Sequence, residues 1–223
     1  MKRLLNHILI VVFVLSMVSC EQEFTPDNTA TVDFSGEWYY QLIEEDGTVY
    51  WDYYYAGPPF YTYNSSENTA DKLWFNDNDE IFGIKALMDI SGNPEGFTGT
   101  GGVNEPYVPS PDSVVTSGGI PLSILVDDYA YMELLEGKII KDGAKVWQDK
   151  EKAVSDSIYM KFQFSSATFN FTSREIEVYD PADSTTTTEY IWEKDANFYQ
   201  VEEALDIWIV AGHRQTGWEV YIH

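Results

Sequence analysis

Apolar and polar positions alternate with a period of two along most of the chain, the spacing of strands that turn one face to a core. Residues 37–43 place Trp38, Tyr40 and Leu42 on one face. Asp46-Gly47 then marks a hairpin, since both residue types accept positive φ. The return run VYWDYYY sets Val49, Trp51, Tyr53 and Tyr55 on one face and Tyr50, Asp52 and Tyr54 on the other, and Gly57-Pro58-Pro59 ends it. Residues 72–75 read as a short strand, 76–79 as a turn, and 80–90 as a longer strand with Gly83 at a bend. Further on, YAYMELLEGKII stops at Lys141-Asp142-Gly143, a second hairpin signal. SIYMKFQFS then points Ile158, Met160, Phe162 and Phe164 one way and Tyr159, Lys161 and Gln163 the other. The pairs Phe169/Phe171, Ile176/Val178 and Tyr190/Trp192, and the runs 205–210 and 218–222, extend the pattern around a polar turn at 181–187.

Helical periodicity is nearly absent, with 145–154 the best short-helix candidate. Residues 91–119, rich in Gly, Pro and Ser, read as a long loop or lid with short strand pieces around Phe97. Strands at intervals of about 8–12 residues predict an all-β domain, either an antiparallel barrel or a β-sandwich. The chain has 223 residues and 16% aromatics, Tyr leading with 16 copies, and such rings favour pleated, half-buried surfaces. No boundary divides residues 34–223, so one domain is expected there. The net charge of −24 repels phosphates and anionic headgroups, which makes nucleic acid and bare membrane surfaces poor partners.

The N-terminus reads as an address. Lys2 and Arg3 precede an apolar run from Leu4 to Leu15, and small residues follow, which is secretory signal architecture and too short for a membrane span. Met17-Val18-Ser19-Cys20 resembles a bacterial lipobox, in which Cys20 becomes the lipidated first residue of the mature chain. This expectation makes residues 1–19 a lipoprotein signal peptide and 20–33 a polar tether. Membrane contact would then come only through the anchor on Cys20, at the outer membrane of a Gram-negative cell. Glu21 and Glu23 resemble the acidic signal that sends some lipoproteins to the cell surface.

Candidate chemistry is sparse. Cys20 is the single cysteine, so no disulfide within the chain is possible. His7 lies in the signal segment and His223 is the last residue, leaving His213 as the only candidate base. No Gly-x-Ser-x-Gly elbow supplies a nucleophile beside it. One useful His cannot build the usual zinc site. Asp77, Asp79 and Glu80 lack the spacing of a calcium loop and read better as a turn. No metal site and no cofactor is therefore expected.

Gly36-Glu37-Trp38, opening the first strand of an exported all-β chain, resembles the Gly-x-Trp signature of lipocalins. With EEDGTVY, TADKLWFNDNDEIFGIKALMDI and AGHRQTGWE in that order, the chain resembles a family of bacterial lipoproteins described as lipid-binding putative hydrolases, with a lipocalin-like barrel. The resemblance implies that Trp38 closes the barrel base and that Arg214 stacks its guanidinium on the indole, a cation–π contact worth about 0.5–2 kcal/mol.

Several strands carry rings on both faces, more than one barrel core needs. One set is expected to build the closed end and the other to line a pocket, with Trp51, Tyr53, Tyr55 and neighbouring Trp74 as the ligand-lining face. The leading expectation is an envelope lipoprotein that holds a small apolar or amphipathic, lipid-like molecule in a β-barrel. The rivals are a carbohydrate-binding β-sandwich whose rings stack on a glycan, a hydrolase, and a structural envelope protein without a small ligand.

Overall fold

The computed structural model describes residues 29–80, 82–111, 115–148 and 151–215. They form nine strands: β1 (Gly36–Glu44), β2 (Val49–Asp52), β3 (Phe60–Asn64), β4 (Lys72–Asn76), β5 (Lys85–Asn93), β6 (Gly96–Val103), β7 (Pro121–Gln148), β8 (Glu151–Asp180) and β9 (Thr185–Arg214). A 3₁₀ turn at Glu105–Tyr107 follows β6. The strands make one antiparallel sheet in the order β2-β1-β3-β4-β5-β6-β7-β8-β9. β9 then returns to pair with β1, from Trp38↔Arg214 to Glu44↔Trp208. That pairing closes the sheet into a barrel and overturns the sandwich alternative. Closure also removes the free edges of the ring strands, at which an open sheet would aggregate.

β1 divides its second edge, with Gly36–Trp38 pairing β3 and Gln41–Ile43 pairing β2. β2 and β3 thus act as one strand interrupted by residues 53–59. β9 approaches β1 closely at Gly212, where any side chain would collide with the Tyr39 carbonyl, so only glycine fits.

Alternation carries one face of every ring strand inward. Partners in register share that face: Leu42 with Val210, Leu73 with Met88, Phe75 with Ala86, Met132 with Phe164, and Leu134 with Phe162. These residues and their neighbours form the main buried cluster. β7, β8 and β9 are 28, 30 and 30 residues long and outrun the ring. Above it they make a three-stranded wing with its own small core of Ala130, Ala167, Phe169 and Phe171, packed by Tyr107, Val108, Leu122, Ile124 and Phe198. Below it, β7 and β8 continue as a hairpin to Gln148↔Glu151.

Several local expectations give way to pairing. Lys141-Asp142-Gly143 is no hairpin. The register slips between Ile140 and Ala144, Asp142 takes φ 55°, and β7 resumes, because β8 continues alongside and absorbs the turn residues as a bulge. The helix expected at 145–154 is instead the arms of the β7–β8 hairpin, with Lys145 opposite Val154 and Val146 opposite Ala153. Within 91–119, the β5–β6 hairpin and β6 replace the first part of the expected loop. β5 starts at Lys85 and not at Glu80, since Asn78, Asp79 and Gly83 hold positive φ and bend 77–84 away from the ladder. The run expected at 49–55 stops at Asp52. Residues 218–222 and the signal segment lie outside the described residues.

Candidate functional site

The barrel interior is filled. Trp38, Phe60, Phe75, Phe162, Phe164, Leu73, Met88, Met132 and Met160 each have 0% of their surface exposed. A cavity wide enough for water would leave exposed surface on the side chains lining it, and these have none. Side chains pack the bore, as eight-stranded rings allow, so a ligand has access to the two ends.

The open end lies where β1 finishes and β9 enters the ring. The segment 77–84 folds across it and is organised by the buried carboxylate of Asp77. Asp77 Oδ1 accepts from the Asp79 and Ile84 amides at 3.1 and 2.7 Å, and Oδ2 accepts from the Phe82 amide at 2.9 Å. Phe82 thereby drops its ring into the mouth, 4.9 Å from Trp208, 5.1 Å from Tyr129 and 6.2 Å from Phe164 between centroids. The Tyr107 hydroxyl holds the Phe82 carbonyl at 3.0 Å. Around this plug stand Tyr53, packed on the core, and Trp51, which stacks on Tyr53 at 5.9 Å and is 44% exposed. Tyr50 sits edge-on to Trp208 at 5.2 Å.

Polar groups at this mouth are few. Tyr129 donates its hydroxyl to Asp206 at 2.8 Å. Burial, with Asp206 adding to it, pushes the Tyr129 hydroxyl up to about 12, so at neutral pH it is a proton donor. Burial and the nearby Asp77 charge also raise Tyr40, one layer below.

The closed end is built from the chain's entry. Phe34 lies edge-on to Phe97 at 5.1 Å, and its carbonyl accepts the Thr62 hydroxyl at 2.6 Å. The Thr62 oxygen in turn accepts the Trp38 indole N–H at 2.8 Å. The Arg214 guanidinium carbon stands 4.7 Å from the Trp38 ring centre, and its Nε lies 3.2 Å from Asp156. Beside this layer, between the entry turn, the β5–β6 turn and β7, opens a cleft of about 1000 Å³. Val32, Pro94, Ile139 and Ile140 supply its apolar lining, and Asp33, Glu95, Lys138 and Lys141 add charges.

A model of the family described as lipid-binding putative hydrolase matches residues 23–219. The chain belongs to this family. The match spans the whole described barrel, and the family description assigns lipid binding to it. No curated protein matches the chain.

In this member of the lipid-binding putative hydrolase family, the residues expected to line a ligand site are divided. Trp51 and Tyr53 stand together at the mouth. Tyr55 is exposed on the 53–59 segment, edge-on to Tyr54 at 4.9 Å. Trp74 faces outward from β4, stacked on Tyr63 at 6.2 Å with the Lys85 ammonium 5.5 Å from its ring centre. Phe82, Tyr129 and Trp208 were not singled out from the sequence. The one local signal was Phe82 beside Gly83, at the bend expected inside the 80–90 strand.

His213 is 2% exposed, with Nε2 2.7 Å from the Tyr54 carbonyl oxygen and Nδ1 3.2 Å from that of Arg214. A general base must reach a group with a proton to give; carbonyl oxygens have none. In this geometry His213 pins the 53–59 segment to β9. Asp77, expected in a turn, spends its oxygens on backbone amides, and no cluster of three or more metal-ligating side chains occurs among the described residues.

Proposed function

We propose that this protein is an exported lipoprotein, anchored through Cys20 to the outer membrane, that binds one small apolar or amphipathic, lipid-like molecule at the open end of its barrel. One observation carries the site: Phe82, borne outside the ladder, covers the mouth with its ring against Tyr129, Trp208 and Phe164. The phenyl group occupies the place an apolar tail would take. Withdrawal of residues 78–83 would expose that aromatic floor, with Trp51 and Tyr53 at the rim. Tyr and Trp suit such a rim because their rings are apolar and their tips polar. The protonated Tyr129 hydroxyl and the Asp206 carboxylate would face a polar headgroup, and Glu21 and Glu23 support delivery to the cell surface.

Titration of the soluble chain from Glu21 with a fluorescent fatty acid tests the site. Every described strand lies within residues 36–214, so this chain retains the fold. Phe82→Ala removes the competitor and should tighten binding severalfold, while Trp51→Ala with Tyr53→Ala should weaken it about tenfold, equivalent to about 1.4 kcal/mol. Equal affinities in all three proteins would rule out the mouth. Cys20→Ser should abolish incorporation of labelled palmitate in cells and release the protein from the membrane fraction.

A further inference from the structure

The cleft at the closed end combines two features that the mouth lacks. The first is unspent charge of both signs. Carboxylates outnumber basic residues 37 to 13 in this chain. Lys72, Lys85, Lys161, Arg174 and Arg214 each have a carboxylate partner within 4.0 Å. Lys138 and Lys141 on β7 have no such partner among the described residues, although the cleft they line also contains Asp33 and Glu95, which are likewise without one. By contrast Arg214 and Asp156 are committed, Arg214 to Trp38 and to Asp156 Oδ2, and Asp156 Oδ1 to the Asp142 amide at 3.0 Å. The cleft therefore gathers two cations on β7 and two anions on the entry and β5–β6 turns, none of them within 4.0 Å of a partner of opposite charge among the described residues.

The second feature is an apolar floor between them. Ile139 is buried, and its amide donates to the Pro94 carbonyl at 2.6 Å, tying β7 to the β5–β6 turn. Ile140 and Val32 are 44% and 42% exposed, a cost to the free protein that a hydrophobic ligand would offset.

We infer that this cleft is a second binding site, for a zwitterionic amphiphile that carries an anionic phosphate and a primary ammonium on an acyl chain, as phosphoethanolamine lipids do. Lys138 and Lys141 take the phosphate, Asp33 and Glu95 take the ammonium, and the chain lies on Val32, Pro94, Ile139 and Ile140. A ligand with both charges gives all four groups a partner. A purely anionic lipid leaves Asp33 and Glu95 repelling its headgroup, and a fatty acid leaves them unused. The inference is independent of the mouth, since no residue is shared.

The test is NMR titration of the soluble chain from Glu21 with monomeric dihexanoyl-phosphatidylethanolamine, with dihexanoyl-phosphatidylglycerol and with phosphoethanolamine alone. Expected are amide shifts at residues 32–33, 95 and 138–141, and a Kd for the ethanolamine lipid at least fivefold below that for the glycerol lipid. Lys138→Gln with Lys141→Gln should weaken both lipids at least fivefold. Asp33→Asn with Glu95→Gln should weaken only the ethanolamine lipid and narrow the preference. All four side chains are exposed, so these variants keep the fold. The inference is overturned if no shifts occur at the cleft, if both double variants bind as wild type does, if the headgroup alone binds as tightly as the lipid, or if shifts appear only at Phe82, Tyr129 and Trp208.

Discussion

Replacing Asp77 by Ala should loosen the mouth while leaving the barrel folded. Its carboxylate accepts three backbone N–H bonds, from Asp79, Phe82 and Ile84, at 2.7–3.1 Å. A hydrogen bond to a charged acceptor contributes about 1.5–3 kcal/mol, and an amide left buried without a partner costs about 1–3 kcal/mol. Three such losses would sum to far more than one loop contributes. The segment has an escape, however: it lies outside the ladder, so it can swing out and give its amides to water. The loss is then limited to the cost of opening, chiefly the aromatic contacts of Phe82 and the bond from Tyr107, which comes to about 2–4 kcal/mol at about 0.5–1.5 kcal/mol per aromatic pair. Asp77→Asn keeps an acceptor and should lose about half as much. Urea unfolding of the chain from Glu21 measures the loss, and it corresponds to a fall in Tm of about 5–12 °C for a domain of this size. Hydrogen exchange locates it: amides of 79, 82 and 84 should exchange much faster in Asp77→Ala, while those of Leu73, Met160 and Val210 keep their relative protection. Fatty-acid affinity should rise together with exchange. Stability within about 0.5 kcal/mol of wild type, with unchanged exchange at 82 and 84, would refute the claim that Asp77 holds the plug.

The closed end should respond differently. Trp38→Phe removes the bond to Thr62 and part of the contact with Arg214 and should cost about 2–3 kcal/mol in urea unfolding, while Arg214→Ala should cost about 1–2 kcal/mol; no loss in either would remove the base layer from the stability argument. Stability should also fall at high pH. Folding raises the Tyr40 and Tyr129 hydroxyls above the ordinary value of 10, so the folded state holds their protons longer than the unfolded chain does. The contribution is fully present below pH 10 and is lost as pH climbs toward 12 and beyond. Tyr129→Phe should flatten that decline, read as Tm against pH, and an unchanged slope would contradict it. His213→Ala should cost about 1–3 kcal/mol and free the 53–59 segment, read as faster proteolysis between Tyr53 and Pro59; unchanged cleavage would show that the ring does not pin it.

Much of the fold was legible because the cores of short strands depend on neighbours two residues apart. Trp38/Tyr40/Leu42 and Ile158/Met160/Phe162/Phe164 are read as inward faces from their spacing alone, and all seven are buried. What escaped depends on partners far away in the chain. Lys141-Asp142-Gly143 has the local chemistry of a hairpin and becomes a bulge only because β8 runs beside it. Asp77 and Phe82 look like parts of a polar turn and a strand. Their roles appear only when Tyr129 and Trp208, far along the chain, meet above the barrel. Trp51, Tyr53, Tyr55 and Trp74 share a residue type but not a place. The break after Asp52 ends their alternation, and Trp74 faces outward.

The sequence by itself determined the all-β class, the inward faces and the family, because each rests on covalent spacing or on a contiguous motif. Only the tertiary structure decided that β9 closes on β1, that side chains fill the bore, that Phe82 plugs one end and that unpaired charges of both signs meet in a cleft at the other. Those outcomes follow from register between segments far apart in the chain and from packing volume, and neither is encoded in any single window of residues.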